Sequence, residues 1–287
     1  MNTFLQILKK IGLGLGIVVF TAIIVISSIN LIKKPSNDRD WSLDQAVLAY
    51  ANFKAGNLVE IQNIRDFKYS AETEYEPNYI NKTYDLNNLR TVDFFVVPLD
   101  AKGAAHTFLS FGFLNPTTGL IDDHVAISVE IRKEKGEKFS ALKGLFAEYE
   151  LMFVVATERD LIDLRARHRQ NQIHLYPTTA SADQVRNLFI GMLQKNNQLY
   201  RSPEFYNTLV NNCTSNIVKA INQLSPNRIP FDYRSYIPEN SAQLAYELEL
   251  ISNQLTFEET KAQSNITEQA IKYYQEADFS QKIRQQN

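Results

Sequence analysis

Hydrophobic positions along the chain fall into blocks of different period. The first, Ile11 to Ile32, is an unbroken run of 22 residues with no charge, flanked by Lys9-Lys10 and Lys33-Lys34. At 1.5 Å per residue a helix of that length reaches roughly 33 Å, the thickness of a bilayer core. The run is longer than the apolar stretch of a signal peptide, and more apolar residues follow Ser27-Ser28, so it reads as an uncleaved anchor. A short N-terminal tail and a long trailing domain predict an N-inside orientation, with the remaining chain outside the cytoplasm, in a bacterial periplasm. The glycines at 12, 14 and 16 lie inside this run with no strand before them, which excludes a dinucleotide loop.

Beyond a linker at 33–40 the pattern mixes both periods. Ser42 and Gln45 stand at capping-box spacing before Ala46, Val47, Ala49 and Tyr50, predicting a helix over 42–54. Strands are predicted at 58–64, 91–98, 105–113, 125–132, 150–156 and 173–176, and Asn115-Pro116-Thr117-Thr118-Gly119 turns the third into the fourth. Thr157 with Asp160 caps a helix running toward His168. Ser181 with Gln184 caps another, whose Val185, Leu188, Phe189, Met192 and Leu193 share a face. Asn211 or Asn212 caps a helix beginning at Cys213. The sum is an α+β domain with a mostly antiparallel sheet over 41–255, followed by a polar, weakly helical tail at 256–287 whose apolar positions are Ile266, Ala270, Ile271, Tyr274 and Ala277.

Composition narrows the chemistry. Thirty basic against 32 acidic residues give a net charge of -2, without the basic surplus that nucleic acid requires. Cys213 is the sole cysteine, so no internal disulfide and no cysteine-based zinc site can form. With no HExxH, no GxSxG and no P-loop, neither a metal nor another cofactor is called for. His124 reads as a solvated hairpin residue, His168 as a helix-end residue facing the dipole, and His174 as solvent-facing.

Cys213 in the first turn of a helix lies where unpaired N–H groups favour thiolate, with Ile217 and Ala220 extending its face toward the sheet. A buried, inert cysteine is the alternative. A hairpin register in which paired residue numbers sum to 236 sets His106 across from Glu130. It groups His106, Phe108 and Ser110 with Ala126, Ser128 and Glu130 on one face, while Leu109, Phe111 and Phe113 join Val125, Ile127, Val129 and Ile131 on an apolar one. An imidazole held by a carboxylate and taking a proton from a thiol is the logic of a Cys-His-carboxylate triad, here Cys213, His106 and Glu130. Glu130 is equally free to pair with Arg132 or a lysine, and a one-residue slip would turn it away.

Four runs, Val59 to Phe67, Ala105 to Phe113, Ser128 to Arg132 and Asn211 to Thr214, resemble the Lnb-type periplasmic domain in the family's order, across roughly residues 40–250. The resemblance implies a relative of bacterial lipoprotein N-acyltransferases on a permuted papain-like (NlpC-like) fold, with Cys213 as nucleophile, His106 as base and Glu130 as the orienting residue. It further implies membrane phospholipid and lipoprotein substrates and a thioester intermediate; the single-pass inner-membrane topology is read from the anchor at 11–32, a departure from family members that carry further membrane spans after the domain. A cell-wall cysteine peptidase or amidase would use the same triad, favoured by a polar groove where a transferase would have an apolar tunnel. A binding module with an unreactive Cys213 is the third alternative.

Overall fold

The computed structural model describes residues 6–7, 10–18, 20–21, 25, 33–99 and 103–285. Much of the apolar run at 11–32 lies outside the described residues; residues 10–18 and 20–21 are helical and exposed. No helix among the described residues is long and apolar enough to cross a membrane.

Ten strands are present among the described residues: β1 (Tyr50–Lys54), β2 (Leu58–Arg65), β3 (Lys68–Tyr69), β4 (Tyr75–Glu76), β5 (Tyr79–Asp85), β6 (Leu89–Pro98), β7 (Ala105–Leu114), β8 (Ile121–Arg132), β9 (Glu150–Ala156) and β10 (His174–Pro177). The main sheet runs β1-β2-β9-β8-β7-β6-β10, with β5 also on β2, and β3 pairs with β4 in a small separate ribbon. All pairings are antiparallel except β2 with β9. The helices are α1 (Ala141–Leu145), α2 (Glu158–Asp163), α3 (Ala182–Arg201), α4 (Cys213–Leu224), α5 (Ser241–Glu247), α6 (Phe257–Ser264), α7 (Thr267–Tyr273) and α8 (Phe279–Lys282). The α+β class and the mostly antiparallel sheet are as expected.

The hairpin register is the predicted one. Phe108 pairs with Ser128, Ser110 with Ala126 and Phe111 with Val125. The alternation forces it, because slipping one residue would exchange whole faces. Both faces are buried, the one that carries His106 and Glu130 as well as the apolar one. On one side Leu109, Phe111, Val125 and Ile127 pack against α3 and α4 through Phe189, Leu193 and Ile217. On the other, Phe95, Phe108 and Ala126 are covered by Leu161 and Ile162 of α2 and by Ile266, Ala270, Phe279 and Ile283 of the C-terminal tail. Apolar residues at the helical spacing of the tail thus supply the third layer of the fold.

The helix predicted over 42–54 is not formed. Only Leu43–Gln45 turns, as a 3₁₀ segment without a side-chain cap, and Tyr50–Lys54 is an edge strand. Tertiary bonds override the local pattern: Asn197 accepts from the Ala51 N–H and donates to its carbonyl, and Asn196 donates to the Ala49 carbonyl. β5 was not anticipated, since its alternation is mostly polar and half-exposed. The 33–40 segment is pinned to the domain, with Asn37 Nδ2 donating to the carbonyls of Leu199 and Tyr200.

Ionic clamps join the elements around the sheet. Arg65 at the end of β2 meets Asp160 of α2, whose carboxylate also accepts the Phe67 N–H at 2.7 Å, and both side chains are buried. In the tail, Arg284 donates to Asp93 on β6 and to Glu158 at the start of α2.

Candidate active site

Each member of the predicted site is delivered by local structure that the sequence specifies. Asn212 caps α4: its Oδ1 accepts the Ser215 N–H at 2.9 Å, and Ser215 Oγ accepts the Asn212 N–H at 2.9 Å, a reciprocal capping box. The Cys213 and Thr214 N–H groups then stand in the first turn with no carbonyl four residues back to bond. Asn211, the other cap candidate, instead accepts from Asn216 and Lys219. Asn212→Ala is expected to cost about 1 kcal/mol of stability, read as a lowered urea midpoint.

Cys213 is buried and belongs to the same apolar cluster as Leu109, Phe111 and Ile217, and Thr214 Oγ1 lies 3.1 Å from Thr107 Oγ1. Helix α4 therefore packs on the Leu109 face, whereas His106 shares the other face with Phe108, its ring 6.2 Å away. A triad read from one face of the hairpin expects a packed helix to bring the thiol over the imidazole; the helix packs on the opposite face instead. The sulfur makes a hydrogen-bond contact with Thr214 Oγ1 at 3.9 Å, while His106 and Thr107, near the start of β7, stand close enough to lower the thiol's pKa.

His106 Nε2 lies 2.6 Å from Ser128 Oγ and 3.2 Å from Glu130 Oε1. Ser128 Oγ donates to Glu130 Oε1 at 2.7 Å, and Arg165 Nη2 donates to the same oxygen at 2.8 Å. Arg165 is placed by a π turn at Leu164–His168 that follows α2, and its other arm donates to the Leu161 carbonyl at 2.9 Å. The structure thus brings Cys213, His106 and Glu130 together, and adds Ser128 and Arg165. Ser128 was legible as the same-face neighbour two residues before Glu130. Arg165 was not, because a residue 35 positions away on an irregular turn leaves no periodic trace.

The electrostatics match this geometry. Burial alone would raise the Cys213 thiol, but the bond to His106 and the imidazolium charge, with the Thr107 bonds, outweigh it and bring the thiol to about 7 from an ordinary 9.0. For His106, burial opposes protonation, yet the Glu130 charge prevails and raises its pKa. Burial disfavours the Glu130 carboxylate too, but His106 and Arg165 hold it well below the usual range. This combination favours a thiolate-imidazolium pair near neutral pH.

A cavity of about 320 Å³ reaches the site at Thr214, the residue after Cys213, without being lined by Cys213 or His106; its wall is largely apolar and includes Leu109, Ile217, Ile221, Leu244 and Ile251.

Of the remaining histidines, two differ from expectation. His124 is buried rather than solvated: it packs over Gly112, where an added Cβ would come within 3.0 Å of His124 Nε2 and 2.4 Å of Thr91 Oγ1. It stands with Asp93 and Glu158, whose potential ligand atoms all lie within 4.8 Å of one another, but Arg284 already engages both carboxylates. His174 is buried because the tail covers it, its Nδ1 lying 2.9 Å from Ser264 Oγ. His168 ends the π turn beside Asp163, its Nε2 3.8 Å from Oδ2.

A profile of the Lnb N-terminal periplasmic domain matches residues 75–239, more than half of the chain and the part that holds His106, Glu130, Arg165 and Cys213. The chain belongs to the Lnb N-terminal periplasmic domain family. The family is that of a periplasmic domain, which supports a periplasmic location for this region. No curated protein and no solved structure matches the chain significantly. Within this Lnb domain the match begins at β4 and ends in the segment after α4, so it covers β4 to β10 and α1 to α4.

Proposed function

We propose that this Lnb-family protein is a membrane-anchored periplasmic thiol acyltransferase, with Cys213 as nucleophile, His106 as base and Glu130 holding the imidazole. The observation that carries this reading is the His106 imidazole held by Ser128 and Glu130 while it lowers the pKa of the buried Cys213 thiol. His106 Nε2 is engaged by Ser128 and Glu130, which leaves Nδ1 for the sulfur. Arg165 and Ser128 are positioning residues, acting on Glu130. A strand-borne histidine preceding a helix-borne cysteine is also the order of the permuted papain-like (NlpC-like) arrangement.

In the proposed reaction the Cys213 thiolate attacks the carbonyl carbon of a phospholipid acyl ester. The ester C–O bond breaks, the lysophospholipid alkoxide takes the proton from His106, and an acyl thioester remains. An acceptor amine then attacks the thioester, loses a proton to His106 and leaves as the amide, and the thiolate is restored. The amine of a lipoprotein N-terminus is the acceptor that the family resemblance implies. No cofactor enters this chemistry.

The cavity beside Thr214 favours an acyl chain over a cell-wall peptide, since most of its wall offers hydrocarbon packing. Incubating the full chain with vesicles of labelled phospholipid and weighing the Cys213 peptide tests the reading. A hydroxylamine-labile acyl adduct on Cys213, missing in His106→Ala, is expected. Release of fatty acid without aminolysis when an amine acceptor is supplied would make the protein a hydrolase. A Cys213 that never carries an acyl group would end the acyltransferase reading.

A further inference from the structure

Several large apolar side chains are left in solvent around the segment that leads into Cys213. Leu209 and Val210 are 58% and 56% exposed, Leu142 on α1 is 64% exposed and Phe139 is 57% exposed. They belong to one surface, because the two segments are bonded to each other. Thr208 Oγ1 donates to the Ala141 carbonyl at 2.8 Å, the Thr208 N–H donates to the Gly144 carbonyl at 3.4 Å, and a Cβ on Gly144 would strike Thr208 Oγ1 at 2.2 Å. Asn212 Nδ2 donates to the Tyr236 carbonyl, and so ties the same segment to the one that carries Phe231, 90% exposed, and Tyr233. Scattered exposed leucines need no explanation, but a cluster on two bonded segments beside a reactive residue does.

The occupant is indicated by where the apolar run ends. Ile32 is its last residue in the sequence, and Lys33, the next, donates to the Phe146 carbonyl at 3.4 Å and pairs with Glu148. Phe146 caps the C-terminal end of α1, the helix that carries Leu142. Lys33, the residue that follows the membrane-length run in the sequence, is therefore held at the edge of the exposed apolar cluster. Lys143 on the same helix is half-exposed and lies 3.8 Å from Glu137, as Lys33 is paired with Glu148, so amphipathic paired lysines border the patch at the level where a headgroup region would meet it.

We propose that Phe139, Leu142, Leu209 and Val210 form a membrane-docking face that sits in the leaflet from which residues 11–32 emerge, and brings Cys213 to the level of the lipid esters. The inference rests on the anchored, lipid-directed reading above and specifies where the protein meets its lipid. Docking there shortens the path of an acyl chain from the leaflet to the thiol, in place of extracting a whole lipid into water.

The test uses the full chain with Cys213→Ser, so that a single new cysteine can carry an environment-sensitive fluorophore. Leu209→Cys, Leu142→Cys and, as a distant control, Asp183→Cys are labelled and reconstituted into vesicles of phosphatidylethanolamine and phosphatidylglycerol. Emission at 209 and 142 is expected to shift to the blue and to lose most of its intensity to lipids carrying an acyl-chain nitroxide, while emission at 183 does neither. Water-like emission at 209 and 142, or a blue shift that nitroxide lipids leave unquenched, as a second protein chain would give, overturns the docking face. The readout involves no chemistry. An acyl adduct on wild-type Cys213 combined with water-like probes sinks the docking face alone. Quenched probes without any adduct sink the acyltransferase reading and leave the face standing.

Discussion

His106→Ala is expected to slow acyl transfer by about 10²- to 10⁴-fold, the range that a positioned general base and acid supplies. Two losses combine in that figure. The first is ionisation: with the imidazole gone, only Thr107 is left to oppose burial at Cys213, and its pKa climbs from about 7 to the ordinary 9.0 or above. At pH 7 the thiolate then falls from about half of the molecules to roughly 1%. The second is the missing proton donor for the departing alkoxide, which ionisation of the thiol cannot replace. Raising the pH of the variant should therefore restore alkylation of Cys213 by a small reagent but only part of the transfer rate. Full recovery of transfer at high pH would mean that His106 serves the thiol alone.

Arg284→Met is expected to destabilise the fold by about 3–5 kcal/mol, as breaking a buried ion pair from one side does. Arg284 donates to Asp93 Oδ2 at 2.9 and 2.7 Å and to both oxygens of Glu158, and the two carboxylates are almost wholly buried. Their balance differs. Burial raises Glu158 less than Arg284, His124 and Ser110 lower it, so it falls from 4.5 to about 2, whereas burial outweighs Arg284 at Asp93 and leaves that group raised. In the wild type the Glu158 contribution is complete above pH 4.5 and is lost as the pH drops from 4.5 toward 2. The variant reverses this sign: without the guanidinium both folded-state values rise, so acidification protonates the pair and recovers stability. Urea midpoints at pH 7 and pH 5 should show a gap between wild type and variant that narrows at the lower pH. An unchanged midpoint at pH 7 would mean that the tail does not clamp the sheet.

Legibility in the sequence followed the range of the interactions. The β7–β8 register was readable because Leu109, Phe111 and Phe113 alternate against Val125 and Ile127, and a slip would bury the wrong set. The α3 and α4 caps were readable because Ser181-Gln184 and the asparagines before Cys213 act within three residues. What failed depended on distant partners. Ala46 to Tyr50 has helical spacing, yet the segment after it becomes an edge strand held by asparagines nearly 150 positions away. His124 and His174 looked exposed because the tail that covers the second face of the sheet reads as polar. The triad was legible as one cross-strand pair and one capped helix. The side from which the helix approaches was not, since two faces of a sheet are equivalent to a pattern that reports only alternation.

The whole reading depends on a sulfur ionised by its neighbouring imidazole, and the pH profile of Cys213 alkylation by iodoacetamide measures that directly. The wild-type rate should reach half its plateau near pH 7, and in His106→Ala the midpoint should move to 9 or above. A wild-type midpoint at 9 or higher, unaffected by removing His106, would show an ordinary buried thiol and contradict the account.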